Sequence, residues 1–525
     1  MRLSCIALTT LAVFFGADAA AAVPVTEKHN NNVIRLPLVR NENGQLAHLK
    51  RGMLEKRADK TALYNAVGRE YMVEIGVGTP AQKFNLTLDT GSAELWIPST
   101  GCSATQCPYE RFDASRSSTY QKLTDPFSIE YGIGQAKGVY GIDTVTVGNA
   151  KVDKQKVALV SSTKDILGMV NSGEQSNGIM GLGYPGLNTV RGVKDDTPFV
   201  FNLAKTLQDP VFSIYLNEMF AYGLTGEIMF GGEDKTKYKG ALQAVPVVDY
   251  DTSGYLVKPN VGSGKKGSSS SGTYLYWTVP GQGIKASGYE VALPSNAGFI
   301  LDTGTTLTMV PKKYADGIVK AVAGAGKYAF DATNNVYRVD CSIAKQNDKT
   351  VNFEISTSTS NKVDQPVVIS TPVSQLVIPI DTDYLDTAKS CMFGITVSGT
   401  GLTDGETWII GEASLRSMYA VYNMQKNTVS LAPAIHTSGS AADAAAAAPT
   451  GSTSNNNNAS SSANPSDANP SATSQPGNDN NDDDDIHGKI ISMDHQDESA
   501  ASGFSSNMMA LGTVTASMMV AFLLQ

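Results

Sequence analysis

Histidine is scarce in this 525-residue chain: five in all, and none between Ala58 and Ile435. His29 and His48 precede that stretch, and His436, His487 and His495 follow it. A serine or cysteine nucleophile there lacks the imidazole that would activate it. HExxH, CxxC and phosphate-loop strings are also missing, so no metal or cofactor is implied. The formal net charge is −9, with no basic excess, which argues against nucleic acid as a partner. Helical periodicity is rare, Lys312 to Val322 and Thr197 to Leu207 being the better short candidates. Cysteines number five. With Cys5 assigned to a leader, Cys102, Cys107, Cys341 and Cys391 remain, an even set that allows three pairings.

The chain divides by composition. Residues 1–21 carry Arg2, an apolar run from Cys5 to Phe15 and the small residues Ala17 to Ala21, the pattern of a secretory signal peptide. Residues 22–57 hold seven basic residues against three acidic ones and end in Lys56-Arg57. They read as a propeptide removed by a dibasic-processing protease. Taking its +4 away leaves −13 on the remainder, so opposite charge should hold it in place and weaken in acid. From Ala58 to Ile435 short apolar or alternating runs are punctuated by Gly, Pro, Asn and Asp, a β pattern. Asp251 to Gly272 reads as a surface insertion. Residues 436–502 are rich in Ala, Ser, Asn and Pro and read as a disordered stalk, with a glycosylation sequon at Asn458. Residues 503–525, small residues followed by an uncharged apolar tail, read as a GPI-anchor signal; a tail-anchored helix is the alternative.

Chemistry concentrates in a string that occurs twice. Phe84 to Pro98 contains Asp89-Thr90-Gly91-Ser92, and Gly298 to Thr306 contains Asp302-Thr303-Gly304-Thr305. Each is an apolar strand-like run delivering a carboxylate, followed by a glycine that permits a tight turn and by hydroxyls able to bond the carboxylate. Two carboxylates in a partly desolvated cleft cannot both ionise cheaply, so they share a proton. A water between Asp89 and Asp302 can lose a proton to the ionised member while the protonated member polarises a peptide carbonyl. Gly181-Leu182-Gly183-Tyr184-Pro185-Gly186 matches a dinucleotide-binding string, but it contains a proline and is expected to open no helix, so it is read as coincidence. The sequon Asn85-Leu86-Thr87 lies in the strand leading to Asp89 and is expected to be blocked.

Beyond these two motifs, Ile129 to Gly134 resembles the flap hairpin of the pepsin family. Gly178 to Leu182 and Trp408 to Gly411 resemble the segments that pack behind each aspartate loop. Phe212 to Leu216, Phe230 to Gly232 and Asn427 to Ala434 match as well. The region 71–435 is thus similar to a pepsin-family aspartic protease, and the whole precursor to fungal GPI-anchored, yapsin-like members. The resemblance implies an all-β, bilobal fold with the cleft between an N-terminal lobe (58–245) and a C-terminal lobe (246–435). It implies protein or peptide substrates. One chain carries both aspartates, so a monomer is expected. Asp89 and Asp302 would be catalytic, supported by Gly91 and Gly304. Ser92 and Thr305 would orient them and Thr90 and Thr303 would cross-brace the loops. Tyr131, Gly132 and Ile133 would lie on the flap, with Trp96 bonding Tyr131. Thr87 and Ile300 would line substrate pockets. The bridges Cys102–Cys107 and Cys341–Cys391 match two of the family's usual three. Ile133 stands where some relatives carry an aspartate favouring basic residues at P1, so that preference is not inherited. The rival readings are a non-catalytic binder on the same fold, which loss of an aspartate, Ser92 or Tyr131 would favour, and a cell-wall structural protein, which leaves the paired motifs unexplained.

Overall fold

Strands dominate, as the shortage of helical periodicity requires. The computed structural model describes residues 33–40, 71–131, 134–164, 166–167, 176–190, 196–219, 225–248, 273–346, 348–359, 362–382, 385–398 and 407–436. The expected leader, most of the pro segment, the insertion, all of the stalk beyond His436 (Asn458 included), the anchor signal, Gly132 and Ile133 lie outside them. Among the described residues no helix is long and apolar enough to cross a membrane.

In chain order the first half supplies β1 (Ile34–Arg40), β2 (Tyr71–Val77), β3 (Gln82–Asp89), β4 (Leu95–Pro98), β5 (Gln121–Tyr131), β6 (Gly134–Val147), β7 (Ala150–Lys164), β8 (Ile179–Gly181), β9 (Val211–Leu216), β10 (Gly226–Phe230) and β11 (Gln243–Pro246). These join one thirteen-stranded sheet. The second half contributes an eight-stranded sheet that includes β12 (Thr278–Ala286), β13 (Tyr289–Ala292), β14 (Gly298–Leu301) and β15 (Thr308–Val310), with a four-stranded sheet beside it. The fold is the all-β, bilobal one expected.

The helices are short. Lys312–Ala323 turns Tyr314, Ala315, Ile318, Val319 and Val322 inward at helical spacing and stops at Gly324, whose φ of 92° only glycine adopts without strain. The expected helix over Thr197 to Leu207 contracts to Phe199–Ala204, with Pro198 at its N-terminal boundary. A third, Pro185–Val190, directly follows β8. The dinucleotide-like string does open a helix, contrary to expectation. Its glycines serve packing instead: a Cβ on Gly181 would come within 2.5 Å of the Ala93 backbone, and one on Gly183 within 2.9 Å of the Ser92 carbonyl.

Three boundaries differ from those read in the sequence, because sheet pairing follows register and not chain order. β1 falls in the expected pro segment, yet it lies inside the large sheet, antiparallel to β10 and to β2. Ile34 and Leu38 are buried in the core, and the half-exposed Arg35 meets Asp234 at 3.0 Å and Glu227 at 3.6 Å. This part of the expected pro segment is therefore held by strand pairing and apolar burial as well as by charge. At the other end, Met418–Asn423 pairs with β9, and Thr428–Pro433 pairs with β11, so the last strands of the second half complete the first half's sheet. His436, read as the start of the stalk, packs beside Tyr215 with ring centroids 6.5 Å apart, and burial lowers its pKa. Both bridges, Cys102–Cys107 and Cys341–Cys391, are formed.

Candidate active site

Alternation along β3 places Leu86 and Leu88 in the core and sends Thr87 and Asp89 to the opposite face. β3 runs parallel to β8, with Asp89 opposite Gly181. β14 repeats the device, parallel to Thr407–Ile410 with Leu301 opposite Ile410, and Asp302 follows it directly. Two carboxylates thus leave two strand ends in matching loops.

Each loop holds its own acid in the same way. Asp89 accepts the Gly91 N–H at 2.8 Å and the Ser92 hydroxyl at 2.5 Å. Asp302 accepts the Gly304 N–H at 2.8 Å and the Thr305 hydroxyl at 2.6 Å. The loops also touch. A Cβ on Gly91 would lie 2.6 Å from the Asp302 carboxyl carbon, and one on Gly304 would lie 2.3 Å from Asp89 Oδ1. Nothing larger than glycine fits at either place without pushing the facing acid away.

Behind the carboxyls the loops are cross-braced. The Thr90 hydroxyl donates to the Leu301 carbonyl at 2.7 Å and accepts the Thr303 N–H at 2.9 Å. The Thr303 hydroxyl donates to the Leu88 carbonyl at 2.9 Å and accepts the Thr90 N–H at 3.2 Å. Both threonines are buried, so these four bonds fix the spacing of the two halves where the acids emerge. Trp277, one of three fully buried tryptophans, adds a further tie by donating to the Leu182 carbonyl at 2.9 Å.

Burial, followed by the field of Asp302, pushes the Asp89 carboxyl up to about 8. Burial also raises Asp302, against the hydrogen bonds from Thr305 and Gly304 that favour its anion. Such a pair holds a proton between its members over a wide acid range.

Tyr131, expected on the flap, ends β5, and its hydroxyl accepts the Trp96 indole N–H at 2.9 Å. Thr87 donates to the Ser176 hydroxyl at 2.8 Å, and Ile300 is buried beside Asp302 on β14. Asn85 sits within the β3 ladder, its N–H held by Asn177, so that sequon lies inside the folded sheet. Among the described residues no cluster of ligands suited to a metal occurs.

Sequence reading missed three features. Ser176 gave no signal beyond being a hydroxyl residue. Trp277 could have been singled out as one of only three tryptophans. Glu94 had the clearest signal, an acid in the apolar run Ala93-Glu94-Leu95-Trp96-Ile97, and it is buried with its carboxylate accepting the Tyr140 hydroxyl at 2.8 Å.

A bilobal β fold that interlocks two strand-end carboxyls defines a hydrolase of the aspartic type. Comparison with known sequences agrees. The model of the family described as eukaryotic aspartyl protease matches residues 70–434, and the chain belongs to that family. It is 30% identical over 456 residues to mucorpepsin of Rhizomucor pusillus, covering 81% of this chain and 96% of the relative. It is 30% identical to vacuolar protease A of Aspergillus fumigatus, covering 81% and 98%, and 32% identical to rhizopuspepsin-2 of Rhizopus niveus, covering 71% and 80%. The protein is an aspartic-type endopeptidase, with peptides as substrates.

Proposed function

We propose that the protein is a secreted, yapsin-like acid endopeptidase, made as a zymogen and displayed on the cell surface by a GPI anchor. The observation that carries the mechanism is the interlocked pair of raised carboxyls, each held by a loop amide and a hydroxyl. One member of the pair is ionised and takes a proton from a water bound between Asp89 and Asp302. The protonated member donates to the scissile carbonyl oxygen as that water attacks its carbon. A neutral gem-diol forms, with no covalent bond to the enzyme. Proton return to the amide nitrogen then lets the C–N bond break. Tyr131, fixed by Trp96, closes the cleft against bulk water. Thr87 lines the pocket for the residue before the scissile bond, and Ile300 lines the matching pocket of the other lobe.

Zymogen and anchor rest on the sequence: the dibasic Lys56-Arg57, the leader, the stalk and the apolar tail. The β1 pairing supports the zymogen reading, since a strand inside the sheet keeps the uncleaved pro segment attached. The test uses the full chain, matured at the dibasic site and incubated with a mixed peptide library at acid pH. Pepstatin-sensitive cleavage and a defined P1 preference are expected, with surface protein released by a phosphatidylinositol-specific phospholipase. Cleavage insensitive to pepstatin would overturn the mechanism, and retention after phospholipase treatment would overturn the anchor.

A further inference from the structure

Glu94 is a carboxylate in an apolar place. It stands on the segment between the Asp89 loop and β4 and is 1% exposed. Its backbone carbonyl accepts the Gly181 N–H at 2.8 Å, which fixes the residue to the segment packed behind Asp89. Its side chain accepts the hydroxyl of Tyr140, itself 2% exposed, at 2.8 Å. A buried carboxylate is costly unless charge-assisted hydrogen bonds hold it, so this contact is strong and directional. The Lys156 ammonium lies over the Tyr140 ring, 4.4 Å from its centroid, and polarises the phenol in the sense that strengthens its donation.

Tyr140 belongs to the flap. β5 and β6 pair in register from Tyr131 opposite Gly134 down to Pro126 opposite Val139. There the ladder breaks, and pairing resumes only at Lys122 opposite Gly141. Tyr140 occupies the β6 position facing this irregularity, where a hairpin bends most easily. Its ring packs edge-on against Phe127 of β5, with centroids 5.4 Å apart. Trp96, Phe127, Ile129, Ala136 and Tyr140 form one apolar cluster under the hairpin. The flap is therefore tied to the strand that follows Asp89 at two heights: Trp96 to Tyr131 near the tip, and Glu94 to Tyr140 at the bend.

We infer that Glu94 is a positioning residue for the peptidase reaction, its carboxylate pinning β6 through the Tyr140 hydroxyl at the hairpin's bend and so setting where Tyr131 meets the cleft. This rests on the aspartic-peptidase reading of the site. Glu94 touches neither substrate nor the reacting water; it acts through Tyr140 and the flap.

The test uses the full-length chain matured at its dibasic site, with active sites counted by stoichiometric titration with pepstatin. Tyr140→Phe keeps the ring and removes only the donor, and Glu94→Leu removes the acceptor. Each should lower kcat/KM per titrated site about ten-fold and weaken pepstatin to a similar degree. Glu94→Gln, which retains an acceptor, should restore most of both. Combined with Trp96→Phe, the Tyr140→Phe loss should be less than the product of the single losses, because both ties hold one hairpin. Should Glu94→Leu fail to fold, Tyr140→Phe and the cycle with Trp96→Phe still decide. Unchanged kcat/KM per titrated site in Tyr140→Phe, or strictly multiplicative losses in the cycle, would reduce Glu94 to a core carboxylate and overturn the inference. A wild-type chain without pepstatin-sensitive activity would instead refute the peptidase mechanism itself.

Discussion

Replacing Thr90 by valine removes one hydroxyl and leaves the side-chain volume nearly unchanged. That hydroxyl donates to the Leu301 carbonyl and accepts the Thr303 N–H, both buried at the join between the halves. Leaving a buried polar group unpaired costs about 1–3 kcal/mol. Two such groups set the loss for Thr90→Val at about 3 kcal/mol. Thr303→Val strands the Leu88 carbonyl and the Thr90 N–H, and the second of those bonds is the longest of the four at 3.2 Å. Its cost should be somewhat smaller, about 2 kcal/mol. The double variant strands four different backbone groups. These are immediate neighbours, however, and once the loops part, water reaches all of them, so the double should cost less than the sum. Activity should fall further than stability, because the same bonds fix the spacing of Asp89 and Asp302. Urea unfolding at acid pH gives the stabilities, and kcat/KM per titrated site gives the activities. Single variants within about 0.5 kcal/mol of wild type and with unchanged kcat/KM would refute the cross-brace.

Three further outcomes are expected. Both dyad carboxyls have raised pKa values in the fold, so the stability they contribute is complete below the ordinary carboxylate range and is lost as pH rises from there toward about 8. Urea midpoints should accordingly fall between about pH 4 and about pH 8, by at least about 2 kcal/mol in stability, and the fall should be shallower in Asp302→Asn; equal slopes would contradict the raised pair. Burial holds Glu227 above the usual carboxylate range despite Arg35, while Asp234 falls below it because Thr236 hydrogen bonds and the charges of Arg35 and Lys237 outweigh burial. Arg35 favours the anion of both, so its hold on the proposed pro segment exists above their pKa values and fades as pH drops through them. Arg35→Ala should weaken retention of the cleaved pro segment by about 1 kcal/mol at neutral pH and leave it unchanged in strong acid, as followed by pull-down of a tagged pro segment; a deficit that persists in strong acid would count against the ion pairs. Replacing Cys341 and Cys391 by serine opens a bridge with a sequence separation of 50, and should lower unfolding stability by roughly 3–4 kcal/mol. A loss under about 1 kcal/mol would show that the bridge leaves the unfolded chain unconstrained.

The residues at the heart of the site were legible because a buried strand ending in Asp-Thr-Gly constrains identity at each position. The glycines face the opposite carboxyl, the following hydroxyls bond their own acid, and the threonines reach the other loop. Trp96 and Tyr131 were legible only through the family resemblance, and the structure joins them by the indole–hydroxyl hydrogen bond. What sequence could not supply was pairing between distant segments. Nothing local in Ile34–Arg40 says that this strand enters the sheet beside β10, since its charge dominates the composition while its burial depends on residues far along the chain. Nor does Met418–Asn423 announce that it will pair with β9 and not stay with its own half. Glu94 was visible as an acid in an apolar run, but its partner Tyr140 lies 46 residues on and is found only through the β6 register.

The most direct test is the pH dependence of kcat/KM for the matured chain beside Asp302→Asn on one peptide substrate. The expected result is a profile for wild type that rises in acid as the pair loses its first proton and falls toward about pH 8 as it loses the second. Asp302→Asn should lie at least about a thousand-fold lower at every pH. An Asp302→Asn variant that cleaves within about ten-fold of wild type anywhere in that range would mean that peptide hydrolysis does not run through a shared proton on Asp89 and Asp302.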